Sequence, residues 1–511
     1  MPPVYAAGVG MTKFGRSPLT LVELFREAAS LALSNSSFKE IDALYIGVMN
    51  PEEFTGDSNI ASQTAEALGV TGLPSLRIET ASSAGAAALH AAFHAVASGY
   101  YRNVLVLGGE KMTHLTTSAT TRILAEVIDR QERQCGATMP ALAAMITEKY
   151  RQKYRLSHSR LENILCRVAV KNHLNGSHNS LAQFQKPISE KTYLSSKLVS
   201  TPLRLFDCSP ITDGAAAVIL TSERTDIVIS GIGQGTGPLS LRDRDSFTSF
   251  RATQIAAARA YQMAGISSTD IDFAEVHDAF TPFEIISTED LGFFPPGKGG
   301  EAVETEKTSL GGPLPINPSG GLKARGHPVG ASGVAQIVEV VERLRGNSEA
   351  KTEREPRRAL AQSTGGLGAN NFVTVVERRE SSPQIQNLWT PPPSPSPHHT
   401  PSRQKSDQGV PSDEGLIETF TILHVTPDGF LPPLALALIR DRLGGLLMAR
   451  GEDISHLKIG REVYLQQGVD GYYFTVKSHL RKVRDSLKKL LERLPPLPSK
   501  IKRNEHKKET L

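Results

Sequence analysis

The sequence predicts an α/β protein built as two tandem sheet-and-helix halves, followed by a small all-β unit. Three observations lead there. Short apolar runs alternate with longer helical patterns through the first part of the chain. The same alternation restarts near Asp226. Composition then breaks near residue 380, and the chain resumes as short apolar runs separated by turn signals.

In the first half, VYAAGVG, ALYIGVM, SLRIET and NVLVLGG read as strands, each a buried apolar run. Between them LVELFREAASLAL, ASQTAEALG and GAAALHAAFHAVASG carry helical periodicity. The second half opens with IVISGIGQG and continues through TQIAAARAYQMAG, DFAEVHDAF, GVAQIVEVVERL, RALAQSTGG and NNFVTVVE. A mostly helical insertion, about residues 112–205, interrupts the first half. The boundaries read as 1–225 for the first half with its insertion, 226–379 for the second, 380–412 for a linker, 413–478 for the β unit and 479–511 for a tail. The linker contains TPPPSPSPHHTPSRQ, too rich in Pro and Ser to build a core, and is expected to be disordered. IETFTILHV, LALALIRD, GLLMARG and EVYLQQG suggest a small β-barrel. From Lys477 onward there are twelve Lys/Arg and four Asp/Glu, with leucines at helical spacing. This predicts a solvated amphipathic helix, with docking to a membrane or an acidic partner surface as the alternative.

Bulk properties exclude several classes. A net charge of +4 on 511 residues argues against a nucleic-acid protein and against whole-chain membrane binding. The three cysteines, Cys135, Cys166 and Cys208, are too few and too scattered for a disulfide scaffold or a zinc module, so no metal is expected. The opening residues read as a buried strand rather than a signal peptide, and no apolar run reaches the roughly 18 residues that span a bilayer. KKETL is not an SKL-type address. The expectation is a soluble intracellular protein, cytoplasmic by default, with peroxisome or mitochondrion left open.

Four segments carry the chemistry. In ETASSAGAAAL a strand ends, a small-residue turn follows and an Ala-rich helix begins, placing Ser82 near a helix N-terminus whose dipole favours an anion; equally, such small residues let a helix pack closely on a sheet. EVHDAF ends a strand with His277 and Asp278; a buried structural histidine would read the same way. NPSGGLKARGHPVGA holds His327 just ahead of a helix, among glycines that permit close backbone approach. QSTGGLG follows the strand RALA, and its backbone N–H groups, at Gly365 and Gly366, could form an oxyanion hole.

Together these segments resemble the thiolase superfamily, most closely its sterol-carrier-protein-2-type members. The likeness runs from AAGVGMTKFG through VKNHLNGSHNSLAQFQKPIS and PLRLFDCSPITDGAAAVIL to Val376, about three-quarters of the chain. It implies the thiolase fold: two βαβαβαββ halves in a five-layered α-β-α-β-α arrangement, a helical loop insertion, and pairing into a homodimer. It implies an acyl-CoA thioester as substrate or ligand and no other cofactor. The family's nucleophilic cysteine, in a pattern like CASG, is Ser82 here. The histidines of HD-x-F and GHP match His277 and His327, which the resemblance assigns to the oxyanion hole, with His327 also activating the nucleophile. The family's second cysteine is Ala279 at one of its two known places and Ser363 at the other. Cys208 is expected to be structural; Lys171 and Lys186 are candidate CoA-phosphate contacts; Asp278 and Ser363 are weaker site candidates. The C-terminal run TFTILHVTPDGFLPPLALALIRDRLGGLLMARGEDISHLKIGREVYL resembles the OB-fold domain of the DUF35 family without its zinc ribbon. Few exposed aromatics and no basic groove pattern argue against nucleic acid.

Serine is essentially all alcohol at neutral pH, whereas cysteine is partly thiolate. Three functions therefore follow from the resemblance. One is a thiolase-class acyltransferase with weak or absent classical activity. Another is a retro-aldol lyase acting on a β-hydroxyacyl-CoA. The third is a non-catalytic acyl-CoA binder or scaffold.

Overall fold

The computed structural model describes residues 2–379 and 412–477, apart from residues 39, 350–354, 452, 453, 455, 469 and 470. The expected linker, but for its last residue, and the basic tail beyond Lys477 lie outside the described residues.

Eleven strands precede the linker: β1 (Val4–Met11), β2 (Ala43–Gly47), β3 (Ser75–Ile78), β4 (Asn103–Glu110), β5 (Leu198–Ser200), β6 (Leu203–Arg204), β7 (Gly214–Thr221), β8 (Ile227–Thr236), β9 (Phe273–Glu275), β10 (Arg358–Gly365) and β11 (Asn370–Arg378). Nine of them form one sheet in the order β3-β2-β4-β7-β1-β8-β11-β10-β9. In the first half β3, β2 and β4 are parallel, and β7 runs antiparallel between β4 and β1. The second half repeats this with β9 parallel to β10 and β11 antiparallel between β10 and β8. The missing fifth strand survives as a single parallel bridge, Ala274 to Ile316. A short antiparallel pairing, Val4 with Ile229 to Ala6 with Ile227, joins the halves.

The helices fall into three layers around these halves. Leu21–Ser34 covers the first half, and Arg251–Ala264 covers the second. Each is seated by alternate glycines of the strand beneath it. A Cβ at Gly8 or Gly10 would strike the backbone of Ala32, and one at Gly231, Gly233 or Gly235 would strike Ala260, Ala256 or Ala252. Helices Ala84–Ala97 and Ser332–Leu344 lie between the halves, and their side chains dominate the largest core. The result is the five-layered α-β-α-β-α arrangement. β7 (GAAAVILT) is a central strand that alternation alone did not single out, because it is buried on both faces.

Between β4 and β7 lie five helices, among them Met139–Lys153 and His158–Ser177, and the short strands β5 and β6. The chain after the linker forms β12 (Glu414–Leu423), β13 (Leu434–Asp441), β14 (Leu446–Gly451), β15 (Glu462–Gly468) and β16 (Gly471–Val476). Their order β13-β14-β16-β15-β12, closed by a β12–β13 pairing, makes a five-stranded barrel of the OB type. GYYFTV, unassigned by the alternation pattern, is its fifth strand.

The barrel is seated on the insertion. Leu423 of β12 pairs with Ser200 of β5, and the Thr201 amide donates to the Ile422 carbonyl at 3.0 Å. The Thr419 hydroxyl donates to the Met145 carbonyl at 3.0 Å, and the Lys149 ammonium to the Glu418 carboxylate at 2.6 Å. β13 is buried on both faces. Ala435, Ala437 and Ile439 fill the barrel, while Leu436 and Leu438 join a core with Leu142, Met145 and Ile146 of the insertion. That double burial explains why LALALI is apolar without alternation. No helix among the described residues is long and apolar enough to cross a membrane.

Replacing Leu436 by Ala leaves a void between barrel and insertion. It is expected to lower stability by about 2–5 kcal/mol in urea denaturation.

Candidate active site

The two central helices decide where the chemistry-bearing segments meet. Ser82 follows β3 in a turn whose preceding residue, Ala81, has φ of 57°. A side chain is rarely held in that left-handed region, at a cost of roughly 1–2 kcal/mol. Ser83 caps the helix Ala84–Ala97 without a side-chain capping bond; its hydroxyl instead donates to the Thr80 carbonyl at 2.8 Å. The N-terminus of Ser332–Leu344 meets this turn. A Cβ on Gly85 would stand 2.5 Å from the Gly330 carbonyl, and one on Gly333 would stand 2.5 Å from the Ala86 amide. Ala81, next to Ser82, and Val329, two residues after His327, share one buried cluster. Gly365, ending β10, closes the other side: a Cβ there would stand 2.5 Å from the Ser83 hydroxyl.

His277 and His327 meet edge to face, with ring centroids 5.2 Å apart and planes at 89°. Both are buried. The His277 amide donates to the Gln362 side-chain carbonyl at 2.8 Å, tying the β9 end to β10. Its Nδ1 is buried with no hydrogen-bond partner. Burial, then the neighbouring His327 and the Arg325 cation, hold His277 well below the usual imidazole range. For His327, burial and then Arg325 bring the pKa down to about 3. Both rings are therefore neutral at physiological pH.

The tautomer of His327 follows from its neighbour. The Ser332 hydroxyl donates to the Pro328 carbonyl at 3.0 Å, so its oxygen accepts from His327 Nδ1, 2.7 Å away. Nε2 is left as the lone-pair nitrogen, a base rather than a donor. The resemblance gave His327 a part in the oxyanion hole as well; in this tautomer the ring serves as acceptor, and His277 is the imidazole free to donate.

Of the weaker candidates, Asp278 has structural work. Asp278 accepts from the amides of Leu322 at 2.6 Å and Lys323 at 3.3 Å and from Asn172 Nδ2 at 2.8 Å, fastening the loop ahead of His327. Burial, then the Glu284 carboxylate, push it up to about 7. Ser363 lies inside β10 opposite Phe372, because the strand runs on through QSTG; its hydroxyl is buried and without a partner. The glycine loop proper starts at Gly366, with φ of 59°. Cys208 has its thiol pushed up to about 12 by burial and Asp207, against the pull of Lys323, far from a thiolate at neutral pH.

Lys171 corrects an expectation. It is buried, donates to the Ile316 carbonyl at 2.7 Å and to Asn172 Oδ1 at 2.6 Å, and pairs with Glu284 at 3.0 Å. Such an ammonium is committed to the fold and is no phosphate contact. Lys186 is exposed. The residues that pattern reading missed are the anchors. Glu110, at the end of β4, accepts from the amides of Met49 at 2.9 Å and Gly330 at 3.2 Å. Asn317 accepts from the Val276 amide at 2.8 Å. A lone carboxylate closing the apolar run NVLVLGGE was the available signal.

Nitrogen-15 histidine NMR is expected to show His327 as the Nδ1–H tautomer with no titration between pH 8 and 5, and Ser332→Ala is expected to release that tautomer. The unfolded chain protonates this residue near pH 6.5 and the native one near 3. Its contribution to stability is therefore present above pH 6.5 and declines as pH falls toward 3.

Comparison with known proteins agrees with this architecture. The model described as thiolase, N-terminal domain, matches residues 4–224, and the one described as thiolase C-terminal domain-like matches residues 233–378. An acetyl-CoA acetyltransferase of Methanothermobacter thermautotrophicus is 39% identical over 386 residues, covering 73% of this chain and 99% of the relative. Among solved structures, a monomeric SCP2-thiolase like protein type 1 from Mycobacterium smegmatis superposes with a TM-score of 0.70 at 17% identity, covering 93% of this chain and 99% of the other. A structure titled Ltp2-ChsH2(DUF35) aldolase superposes with a TM-score of 0.61 at 22% identity, covering 74% of this chain and 99% of that one. The chain belongs to the thiolase family.

Proposed function

We propose that this protein handles acyl-CoA thioesters as a thiolase-class acyltransferase, with Ser82, His277 and His327 around the thioester carbonyl and classical thiolase activity weak. The observation that carries the reading is the edge-to-face pair of neutral imidazoles at 5.2 Å, one locked as a base and one with an unpartnered buried nitrogen. His327 Nε2 takes the proton from the Ser82 hydroxyl as its oxygen bonds to the carbonyl carbon. His277 and the Gly365–Gly366 backbone stabilise the oxyanion that forms. Collapse expels the leaving group, which recovers the proton from His327. The alcohol makes the first step slow and leaves a less activated ester than a thioester.

The second reading is a lyase that cleaves a β-hydroxyacyl-CoA by retro-aldol chemistry. The same base removes the hydroxyl proton, the carbon–carbon bond breaks, and the enolate is held at the oxyanion donors. No acyl-serine is needed, which suits the loss of the cysteine. One solved relative in fold is titled an aldolase.

Acetoacetyl-CoA and 3-hydroxyacyl-CoAs, each with and without free CoA, separate the readings. CoA-dependent cleavage of acetoacetyl-CoA, raised by Ser82→Cys, supports the acyltransferase. Carbonyl release without CoA, indifferent to Ser82→Ala, supports the lyase. Saturable binding with neither turnover leaves a non-catalytic acyl-CoA binder and sinks both. In either active case His327→Ala should lower turnover about 10²-fold or more.

The sheet end is the proposed homodimer surface. β3 is its edge strand, and Leu76 there is 51% exposed. Sedimentation should show a dimer that Leu76→Asp dissociates; a monomeric parent chain removes this proposal.

A further inference from the structure

Beside the histidine pair lies a polar cluster that the chemistry above does not use. Lys323 is 1% exposed, four residues ahead of His327, and its own amide is fastened to Asp278, the residue after His277. Its ammonium makes no hydrogen bond or ion pair among the described residues. It rests over the rings of Phe206 and Phe184, 5.6 and 5.9 Å from their centroids. His173, 2% exposed, packs on the same two rings, stacked on Phe184 at 5.3 Å and edge-on to Phe206 at 5.5 Å. Neither of its ring nitrogens has a hydrogen-bond partner. Burial and then the Lys323 cation, against an opposing pull from the Lys186 backbone, keep the ring neutral, with a pKa of about 3. The segment after Phe206 borders the catalytic loops: Cys208 bridges to Phe280, the Ser209 amide donates to the Ala279 carbonyl at 2.9 Å, and Ile211 bridges to His327.

Two deeply buried polar groups without hydrogen-bond partners, on one aromatic floor, each bear a desolvation cost unless something meets them. Their chemistry selects what that is. Burial brings the Lys323 ammonium down to about 8, and against it Cys208 and then the Asp207 and Asp278 carboxylates act to keep its proton. A further anion would face those carboxylates. A neutral imidazole offers one donor and one acceptor, and the ammonium offers donors. A hydroxyl, which both accepts and donates, satisfies the set. We infer that Lys323 and His173 form a subsite for a hydroxyl group on the acyl chain of the bound thioester, beside Ala279 and the histidine pair.

This inference rests on the acyl-CoA reading, and calorimetry on the full chain separates the two. The probes are butyryl-CoA, 3-hydroxybutyryl-CoA, 4-hydroxybutyryl-CoA and succinyl-CoA. At least one hydroxybutyryl-CoA should bind about tenfold or more tighter than butyryl-CoA, with no comparable gain for succinyl-CoA. Lys323→Met and, separately, His173→Phe should each erase that ratio while butyryl-CoA still binds; the second variant preserves the aromatic stack if the first does not fold. Equal affinity for the hydroxylated and plain chains overturns the subsite and leaves the acyl-CoA reading standing, as does a preference that survives both substitutions. Tightest binding of succinyl-CoA overturns it in favour of an anion site. Binding of none of the four removes the acyl-CoA reading itself.

Discussion

Everything at the site depends on how closely two helix N-termini can cross. Gly85 and Gly330 touch through backbone, as do Gly333 and Ala86, and a single methyl group at Gly85 or Gly333 would intrude to 2.5 Å. Close-packed interiors yield little to such intrusion. The crossing brings the turn carrying Ser82 against the loop carrying His327, and Gly365 completes the enclosure from β10. The small residues of SSAG and GHPVGASG therefore serve packing and chemistry together; each reading of those segments holds, at different positions.

A second layer of interactions keeps the loops in place without touching the carbonyl. Asn172 donates to Asp278 at 2.8 Å and to Glu284 at 2.7 Å, Lys171 pairs with Glu284, and Asn317 donates to Glu284 at 2.8 Å. One face of the helix His158–Ser177 thus holds both the strand end bearing His277 and the loop leading to His327. Buried charges in such a network stay only because they are paired and hydrogen-bonded, and removing one partner leaves the rest unpaired in a low dielectric. The buried Arg325, beside Glu275 at 3.7 Å, also sets the site's electrostatics, since its field helps keep both imidazoles neutral.

The barrel is bound to the insertion by strand, core and charge. Strand pairing with β5, a shared apolar core and the Lys149–Glu418 pair make it continuous with the helices that anchor the histidine loops. An interface built from leucines of β13 resembles a domain core more than a transient contact. Whatever the barrel does to the site, it does from a fixed seat.

Much was written in local pattern. Strand runs such as NVLVLGG, the Ala-rich helix after Ser82 and the two histidine motifs announce themselves through periodicity, turn chemistry and glycine placement, which depend on near neighbours in the chain. The barrel's runs were legible for the same reason, save GYYFTV, where alternation is weak. What needed the folded chain were relations between distant residues. Lys171 looked like a free cation until Glu284 and Ile316 were brought to it. The acceptor role of His327 rests on one hydroxyl, whose own proton is committed to Pro328. The meeting of His173 with Lys323 over two phenylalanines has no trace in either segment. Charge state, tautomer and partnership are set by burial and by the few ångströms between groups, and those distances exist only once the core has closed.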